Sequence, residues 1–500
     1  MGRMAMARGA SEDTPGLLRS APIRCDGFRP FCPTSARARI RAGVCRWALL
    51  ALVPAAIATP ACGQEALYWD VNGTSIGEGG SATWTLSDPR WSLSTDGVSG
   101  PYRTWDNLAL NDAFFRGTAG TVTLAQPIRV HNITFATNGY IITGNTLTLD
   151  GVDPTLSVTT GASTIASTIT GTGRVIKAGG GTLTLSGNNS FNGGLTVSAG
   201  ALFLTGNNSF GSGPVITGGA LSLTGTNSFV GDISVNGTLT ASGAAALGTA
   251  GNNITISGGS LNIGATGGTL TGRTVTLSGV GRVNISGAGI GGAHFTGTGG
   301  LAVSAGVNLT DDSNNYSGST AFNGAGGSTF SSIGNLGEAS SLGAPNTVAD
   351  GTIVISNPSG TTGTRSVSYV GDGDVSNRNW SLTANGYRGV GLTNSGTGTL
   401  TLTGAIGVNR TSLAQTPAFT AQTADLELLG VISGNDVAFN ANAGLVLRLG
   451  DANTFASGSI GGAGKVEAAT LTNVGVARSL GTGGGSGISG TLSYVRAGAW

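Results

Sequence analysis

The sequence predicts an all-β fold, a parallel β-helix in which short strands stack turn upon turn. Three observations predict it. A nine-residue segment occurs three times at intervals of 19 residues, at 183–191, 202–210 and 221–229. Within each copy the apolar residues occupy alternate positions, which is typical of a strand with one buried face. Glycine accounts for 89 of the 500 residues and charged residues for only 10%, and repeated tight turns favour glycine.

The repeated segment predicts columns of identical side chains. In the first copy Leu183 and Leu185 alternate with threonine, and Asn189 and Phe191 follow the closing glycine. The equivalent residues in the other copies are Leu202, Leu204, Asn208, Phe210, Leu221, Leu223, Asn227 and Phe229. A short fixed period indicates one unit stacked on itself, with successive strands about 4.8 Å apart. We therefore expect leucine and phenylalanine columns in the core and an asparagine column bonded from turn to turn.

A second strand is predicted after the glycine-rich turn of each copy, with side chains at 195, 214 and 233 and at 197, 216 and 235 facing inward. The alternating pattern recurs as far as Leu447 and Leu449. At this period the region from residue 120 onward would form roughly 20 turns. The high glycine content is also compatible with disorder, but the recurring alternation favours the solenoid.

Residues 1–63 are predicted to be a leader and a secretory signal peptide. Four arginines between Arg37 and Arg46 precede an apolar stretch at 47–58 that is too short to span a bilayer. Small residues follow, so cleavage is expected between Ala58 and Gln64. A short buried helix and lipidation at Cys62 are the alternatives.

All four cysteines lie in this leader: Cys25, Cys32, Cys45 and Cys62. A mature chain without cysteine has no disulfide, thiolate nucleophile or cysteine metal site. Residues 1–63 carry nine arginines and three acidic residues, whereas the remainder carries 16 basic and 21 acidic residues. This dilute, slightly acidic surface argues against nucleic acid as a partner.

Residues 64–118 are predicted to form an N-terminal cap, and residues 119–500 the β-helix itself. Four of the seven tryptophans fall in the cap segment: Trp69, Trp84, Trp91 and Trp105. The first turn of a solenoid has an open core that must be covered. The alternative is an exposed aromatic platform for sugars. The motif Ser341–Gly343 returns as 479–481 and its second copy stops at Trp500, so we expect a β-helix truncated at the C-terminus.

The segment Gly171–Gly194, with Lys177, the Gly-rich run to Thr182, the Leu183/Leu185 strand and the Asn189–Phe191 turn, resembles the autotransporter-associated β-strand repeat. This repeat is also called the passenger-associated transport repeat. Weaker copies occur at 202–231, 309–318 and 447–458. The resemblance implies a right-handed parallel β-helix that is secreted or displayed at the outer-membrane surface of a Gram-negative-type bacterium. It also implies export by outer-membrane translocation machinery or a β-barrel outside this sequence.

The sequence predicts no catalytic, cofactor-binding or metal-binding residues and no cofactor. The two histidines, His131 and His294, lack neighbouring partners and a Gly-x-Ser-x-Gly elbow. Asp311–Asp312 and Asp372–Asp374 are candidate calcium contacts because clustered oxygens suit hard cations, but solvated turn acids are the simpler interpretation. Charges are too sparse to predict a charged row along an exposed strand face.

Three functions are compatible with this sequence. The first is a non-enzymatic surface or secreted stalk acting in adhesion, whose partners would be glycans or proteins on a host or neighbouring cell. The second is a polysaccharide-active β-helix enzyme, a lyase or hydrolase. The third is an export module whose function lies in a segment outside this sequence.

Overall fold

The computed structural model describes residues 64–494, except 267, 280–281, 305, 325–326, 358–364, 386–388, 412–414 and 470–486. The predicted leader, its cleavage site and the four cysteines lie outside the described residues, as do the 479–481 motif and Trp500. The residues from 64 onward belong to one compact unit.

The described chain is a stack of turns, and each turn contains two or three short strands that pair with the turns before and after it. Nearly all pairings are parallel, so the predicted parallel β-helix is confirmed. The only helices in the described residues are two 3₁₀ segments, Ala244–Leu247 and Ala288–Ile290, and one α-helical turn, Val348–Gly351.

Five sheets, which we number 1 to 5, run along the stack. Sheet 1 comprises Tyr102–Arg103, Trp91–Ser92, Ala66–Trp69, Asp112–Phe115, Ile133–Phe135, Thr155–Val158, Val175–Ala178, Leu195–Val197, Val215–Thr217, Ile233–Val235, Ile254–Ile256, Thr274–Leu277 and His294–Gly297. Sheet 2 comprises Ala82–Trp84, Thr121–Leu124, Ile141–Gly144, Ala162–Ile165, Thr182–Leu185, Ala201–Leu204, Ala220–Leu223, Thr238–Ala241, Ser260–Ile263, Arg282–Ser286, Gly300–Val303, Thr320–Phe322, Ile353–Ser356, Trp380–Ala384, Ile406–Arg410, Ile432–Gly434 and Thr454–Phe455.

Sheet 3 comprises Ile128–Val130, Leu147–Leu149, Ile169–Gly171, Ser190–Phe191, Ser209–Gly211 and Ser228–Phe229. Sheet 4 comprises Asn308–Leu309, Ser328–Phe330, Arg365–Tyr369, Val390–Asn394, Ala418–Ala421, Val437–Ala441, Gly458–Gly461 and Gly487–Ile488. Sheet 5 comprises Asp374–Ser376, Leu400–Leu402, Leu426–Leu428, Val446–Leu449, Lys465–Ala468 and Thr491–Tyr494.

The three repeats stack in the predicted register. Leu183 pairs with Leu202, and Leu202 pairs with Leu221. These leucines are buried. The leucines two residues later on the same strands, Leu185, Leu204 and Leu223, are buried as well. The phenylalanine column is also present, with ring centroids 5.0 Å apart between Phe191 and Phe210. The core is therefore a continuous column of apolar side chains enclosed by the sheets.

The second strand departs from the predicted facing by one residue in the middle repeat. Val215, rather than Pro214, pairs with Leu195 and with Ile233. Val215 and Thr217 are buried, whereas Ile216 faces partly outward. The cause is a register irregularity at Gly211, which adds a residue to the preceding turn. The following turn is one residue shorter and restores the spacing.

The period of the three repeats does not continue along the whole stack. Leu221 pairs with Leu239, which makes that turn slightly shorter than the repeat, and Leu239 pairs with Leu261, which makes the next turn longer. Later turns are longer still, because Ile353 pairs with Trp380 and Trp380 with Ile406. Consequently 16 described strands of sheet 2 span Thr121–Phe455, fewer than a constant period of the repeat would place in that stretch.

The N-terminal segment forms an aromatic-rich cap. Its four tryptophans are all 0–2% exposed, and the rings of Trp84 and Trp105 lie 4.8 Å apart. The Trp69 and Trp105 indoles donate to the carbonyls of Gly80 and Arg129. The alternative of an exposed tryptophan platform is therefore wrong, since these side chains fill the end of the core.

Candidate functional site

An outward-facing row of charged side chains crosses sheet 5. The residues Glu427, Arg448 and Glu467 lie directly opposite one another on three successive strands. Each is flanked by buried apolar residues such as Leu426 and Leu428, which anchor the strand in the core. We call these three residues the charged row. The expectation that no such row exists is wrong for this face.

Arg448 holds the charged row together. Its guanidinium donates to a carboxylate on either side, at 2.5 Å to Glu427 and 2.9 Å to Glu467. Thr401, one turn earlier, donates its hydroxyl to Glu427 at 2.9 Å. Burial acts to lower the pKa of Arg448, but the two carboxylates outweigh it and raise the pKa. The guanidinium therefore stays charged and the row is a pre-formed polar surface.

A cleft adjoins the charged row. It has a volume of about 320 Å³ and is lined by 444–446, 463–465 and Thr491. Lys465 lies in it two residues before Glu467 on the same strand. The cleft thus offers an ammonium group and turn backbone on the strand that carries Glu467, which suits contact with a polar surface rather than burial of an apolar ligand.

The arrangement does not supply general acid–base chemistry in the way a glycosidase does. Such enzymes keep one carboxyl group protonated in an apolar setting and a second one ionised. Here both carboxylates pair with the same guanidinium, so neither carboxyl group lies alone in an apolar setting.

The structure places His131 in a structural role. Its Nδ1 lies 3.0 Å from an oxygen of Asp112, and its Nε2 lies 3.3 Å from the carbonyl oxygen of Val152. Both ring nitrogens therefore contact the neighbouring turns. The histidine joins three turns at a corner.

His294 has an aspartate and a serine beside it, yet the geometry differs from a catalytic triad. Asp311 and Ser313 both approach the same nitrogen, Nδ1, each at 3.2 Å. A triad requires the serine and the aspartate on opposite nitrogens, so that the imidazole can pass a proton between them. The group is a turn in which Asp311 also accepts from the Ser313 backbone.

The two acidic segments, Asp311–Asp312 and Asp372–Asp374, form hydrogen bonds to the loop that follows Phe330. Asp312 accepts hydrogen bonds from the hydroxyls of Ser331 and Ser332, and Asp374 accepts one from the backbone of Ile333. Burial raises the pKa of Asp374, and the charges of Asp312 and Asp372 add to this. Within the described part of the chain, no group of three or more His, Cys, Asp or Glu side chains is arranged to hold a metal ion.

Sequence reasoning missed the charged row because the charges are far apart in the chain. The signal that could have found it is the spacing of Glu427, Arg448 and Glu467, which is close to the period of the repeats. Each stands between two apolar residues, at the outward position of an apolar–x–apolar strand.

Together, the stacked sheets and the buried repeat columns define a repeat-built parallel β-helix. The passenger-associated-transport-repeat family model matches residues 175–202 and 199–223. The chain therefore carries passenger-associated transport repeats in this segment, as the sequence predicted.

The chain is also similar to a particular protein, the adhesin BmaC autotransporter of Brucella suis biovar 1 (strain 1330). The two are 43% identical over 444 residues, which cover 86% of this chain and 12% of that protein. The chain thus spans about an eighth of the length of this relative. No solved structure gives a significant match. Among the described residues no helix has the length and apolar character needed to cross a membrane.

Proposed function

We propose that this chain is a segment of an exported bacterial surface stalk that acts in adhesion without catalysing a reaction. The observation that carries the proposal is the 43% identity to an adhesin over most of the chain. The relative's name describes a much longer protein, and the proposal brings that role to this segment. Location at the outer-membrane surface, after export through a translocation pore, is part of the same proposal.

The described structure supports a contact role in two ways. Most of its apolar side chains lie in the core, and the outward faces carry mainly hydroxyls, amides and the charged row, with a few exposed apolar side chains such as Phe203 and Val230. A stack of parallel strands also keeps these outward groups at fixed spacing along many turns. Residues 64–118 would cover the N-terminal end of the core, and residues 119–500 would present the contact surface.

The test is binding of the full chain to cultured mammalian cells and to matrix-coated plates, measured at 0.05 and 0.5 M salt (about a tenfold range). We expect saturable binding that persists at the higher salt concentration, because the surface is dilute in charge. A Glu427→Gln/Glu467→Gln variant should bind more weakly if the charged row takes part, and Glu338→Gln, on an exposed loop elsewhere, is the matched control.

The competing enzymatic function has its own readout. Incubation of the chain with a panel of polysaccharides should release no new reducing ends or unsaturated products. Turnover that disappears in Asp374→Asn, together with no binding to any cell or matrix, would overturn the proposal.

A further inference from the structure

One outward position of the repeated segment differs in chemical character between the three copies. The three copies agree in their inward residues, but the outward residue between the two leucines is Thr184 in the first, Phe203 in the second and Ser222 in the third. These three residues pair directly with one another on sheet 2. An aromatic side chain therefore stands between two hydroxyl-bearing residues in this column.

Phe203 is accessible. It is 41% exposed, while the adjacent Leu202 and Leu204 on the same strand are buried. Among the described residues its ring makes no aromatic pair, in contrast to Phe191, Phe210 and Phe229, which stack in the core. Exposing a large apolar ring to water is unfavourable, and neither core packing nor an aromatic pair offsets that cost here.

A shallow cleft lies beside the Phe203 ring. It has a volume of about 170 Å³, and its other walls are formed by 220–222, Thr238 and Thr240 of the next two turns. The space exists because Ala220 and Ser222 are small. The outward column continues with hydroxyls at Thr164 and Thr184 on one side of Phe203 and at Ser222 and Thr240 on the other.

This surface carries no charge. The four strands and the residues that follow them, 182–186, 201–205, 220–224 and 238–242, contain no ionisable side chain. Hydroxyls both donate and accept hydrogen bonds, as the hydroxyls of a sugar do, and an aromatic ring packs against the apolar C–H face of a pyranose. A protein partner would require roughly 800 Å² of contact area on each side, far more than one ring and this cleft provide.

From these observations we propose that Phe203 and the flanking hydroxyl column form a binding subsite for a neutral glycan chain, which lies along the stack with one sugar residue over the phenyl ring. The proposal rests on the proposed adhesive function and names the class of surface molecule that this part of the stalk contacts. The charged row on sheet 5 is a separate surface.

The test compares the full chain with Phe203→Ser, which copies the residue present at the equivalent position of the next turn. Val230→Ser, which removes another exposed apolar side chain, is the matched control. Binding to immobilised mannan and to a neutral galactan is measured by biolayer interferometry, with heparin as a sulfated comparison. Thermal unfolding checks that all three proteins keep the same stability.

We expect the full chain to bind at least one neutral polysaccharide and Phe203→Ser to bind it about tenfold more weakly, while Val230→Ser binds normally. Equal binding by Phe203→Ser, binding to heparin alone, or no binding to either neutral polysaccharide would overturn the glycan subsite. If the glycan subsite is overturned but Phe203→Ser still adheres to cells, the proposed adhesive function is unaffected. The experiment therefore distinguishes failure of the subsite from failure of the adhesive function.

Discussion

At the residue scale, buried polar side chains join successive turns by bonding across them. Asn189 donates its side-chain amide to Asn208 at 2.8 Å, and Asn208 donates to Asn227 at 2.9 Å. Each asparagine oxygen also accepts a backbone N–H from the turn before. Buried polar groups must be paired, and the column achieves this with one residue type. The predicted asparagine ladder is confirmed.

Lys177 shows the same principle with a charged group. It occupies an inward position between Leu156 and Val197 and is fully buried. Its ammonium donates to four carbonyls, those of Ala178, Gly179, Gly181 and Ala199, at 2.8–3.1 Å. Burial lowers the pKa of Lys177 to about 8. The glycine-rich run after the lysine therefore forms a tight corner whose carbonyls point at the ammonium.

Gly179 is needed at this corner for steric reasons. Its φ is +74°, and a Cβ there would lie 2.2 Å from the carbonyl oxygen of Val158. A side chain would collide with backbone and also strain the left-handed conformation. The Lys-x-Gly spacing of the repeat thus has a geometric cause.

Tyr316 provides a prediction of pH dependence. It is fully buried, with its hydroxyl 2.7 Å from that of Thr320, and burial raises its pKa to about 12. Because the folded pKa lies above the unfolded value near 10, the stabilisation is complete below pH 10 and is lost as pH rises toward 12. Denaturant unfolding at pH 8 to 12 should show wild type losing about 2 kcal/mol relative to Tyr316→Phe. A difference that stays constant over this range would contradict the assignment.

At the element scale, each strand is short and gains its stability from the strands above and below. Alternation decides which side chains face the core: along Ala201–Leu204 the second and fourth residues are buried and the third is exposed. A shift of one residue would move every side chain to the other face. The irregularity at Gly211 shows how the chain avoids this, since the extra residue lies between Ser209 and Gly211 and the next strand, Val215–Thr217, again alternates buried and outward side chains.

The strand facing can be tested with two adjacent substitutions. Leu204→Asp places a carboxylate in the core and should cost roughly 3 kcal/mol or more, whereas Thr205→Asp lies on the exposed side and should change stability by less than about 0.5 kcal/mol. Thermal and denaturant unfolding of both variants measure the difference. Equal melting temperatures would contradict the assigned facing.

At the scale of the whole molecule, the β-helix is a nearly one-dimensional stack in which each turn contacts its neighbours. Sheet 2 runs through the described part from Ala82 to Phe455, whereas sheets 1 and 3 give way to sheets 4 and 5 in the later turns. Departures from the regular turn, such as 331–352, are held to the stack by hydrogen bonds and by buried side chains such as Ile333 and Leu342. Arg378, fully buried, donates to the carbonyls of Leu342 and Gly351 there.

One-dimensional stacking predicts that a whole turn can be removed. Deleting 202–220 places Leu221 over Leu183, Asn227 over Asn189 and Phe229 over Phe191, so each column closes with the same residue types. We expect a folded protein with a β-rich circular dichroism spectrum and a melting temperature near that of wild type.

Deleting 202–211 is the control. It removes the sheet 2 and sheet 3 strands of one turn and leaves too few residues to pass around the core. This variant should melt well below the first, as measured by circular dichroism and protease resistance. Equal stability of the two deletions would argue against turn-by-turn stacking.

Sequence alone determined the strand type, the inward columns, the asparagine ladder and the tryptophan cap. These depend on alternation and on a short repeat of fixed period, which are local properties of the chain. The tertiary structure decided how many turns there are, the shifted facing at Val215 and the meeting of Glu427, Arg448 and Glu467. Turns differ in length along the stack, so the outward neighbours of a residue depend on accumulated turn lengths. Inward positions tolerate only apolar or paired groups and can be recognised locally, whereas outward positions acquire their partners only when the turns stack.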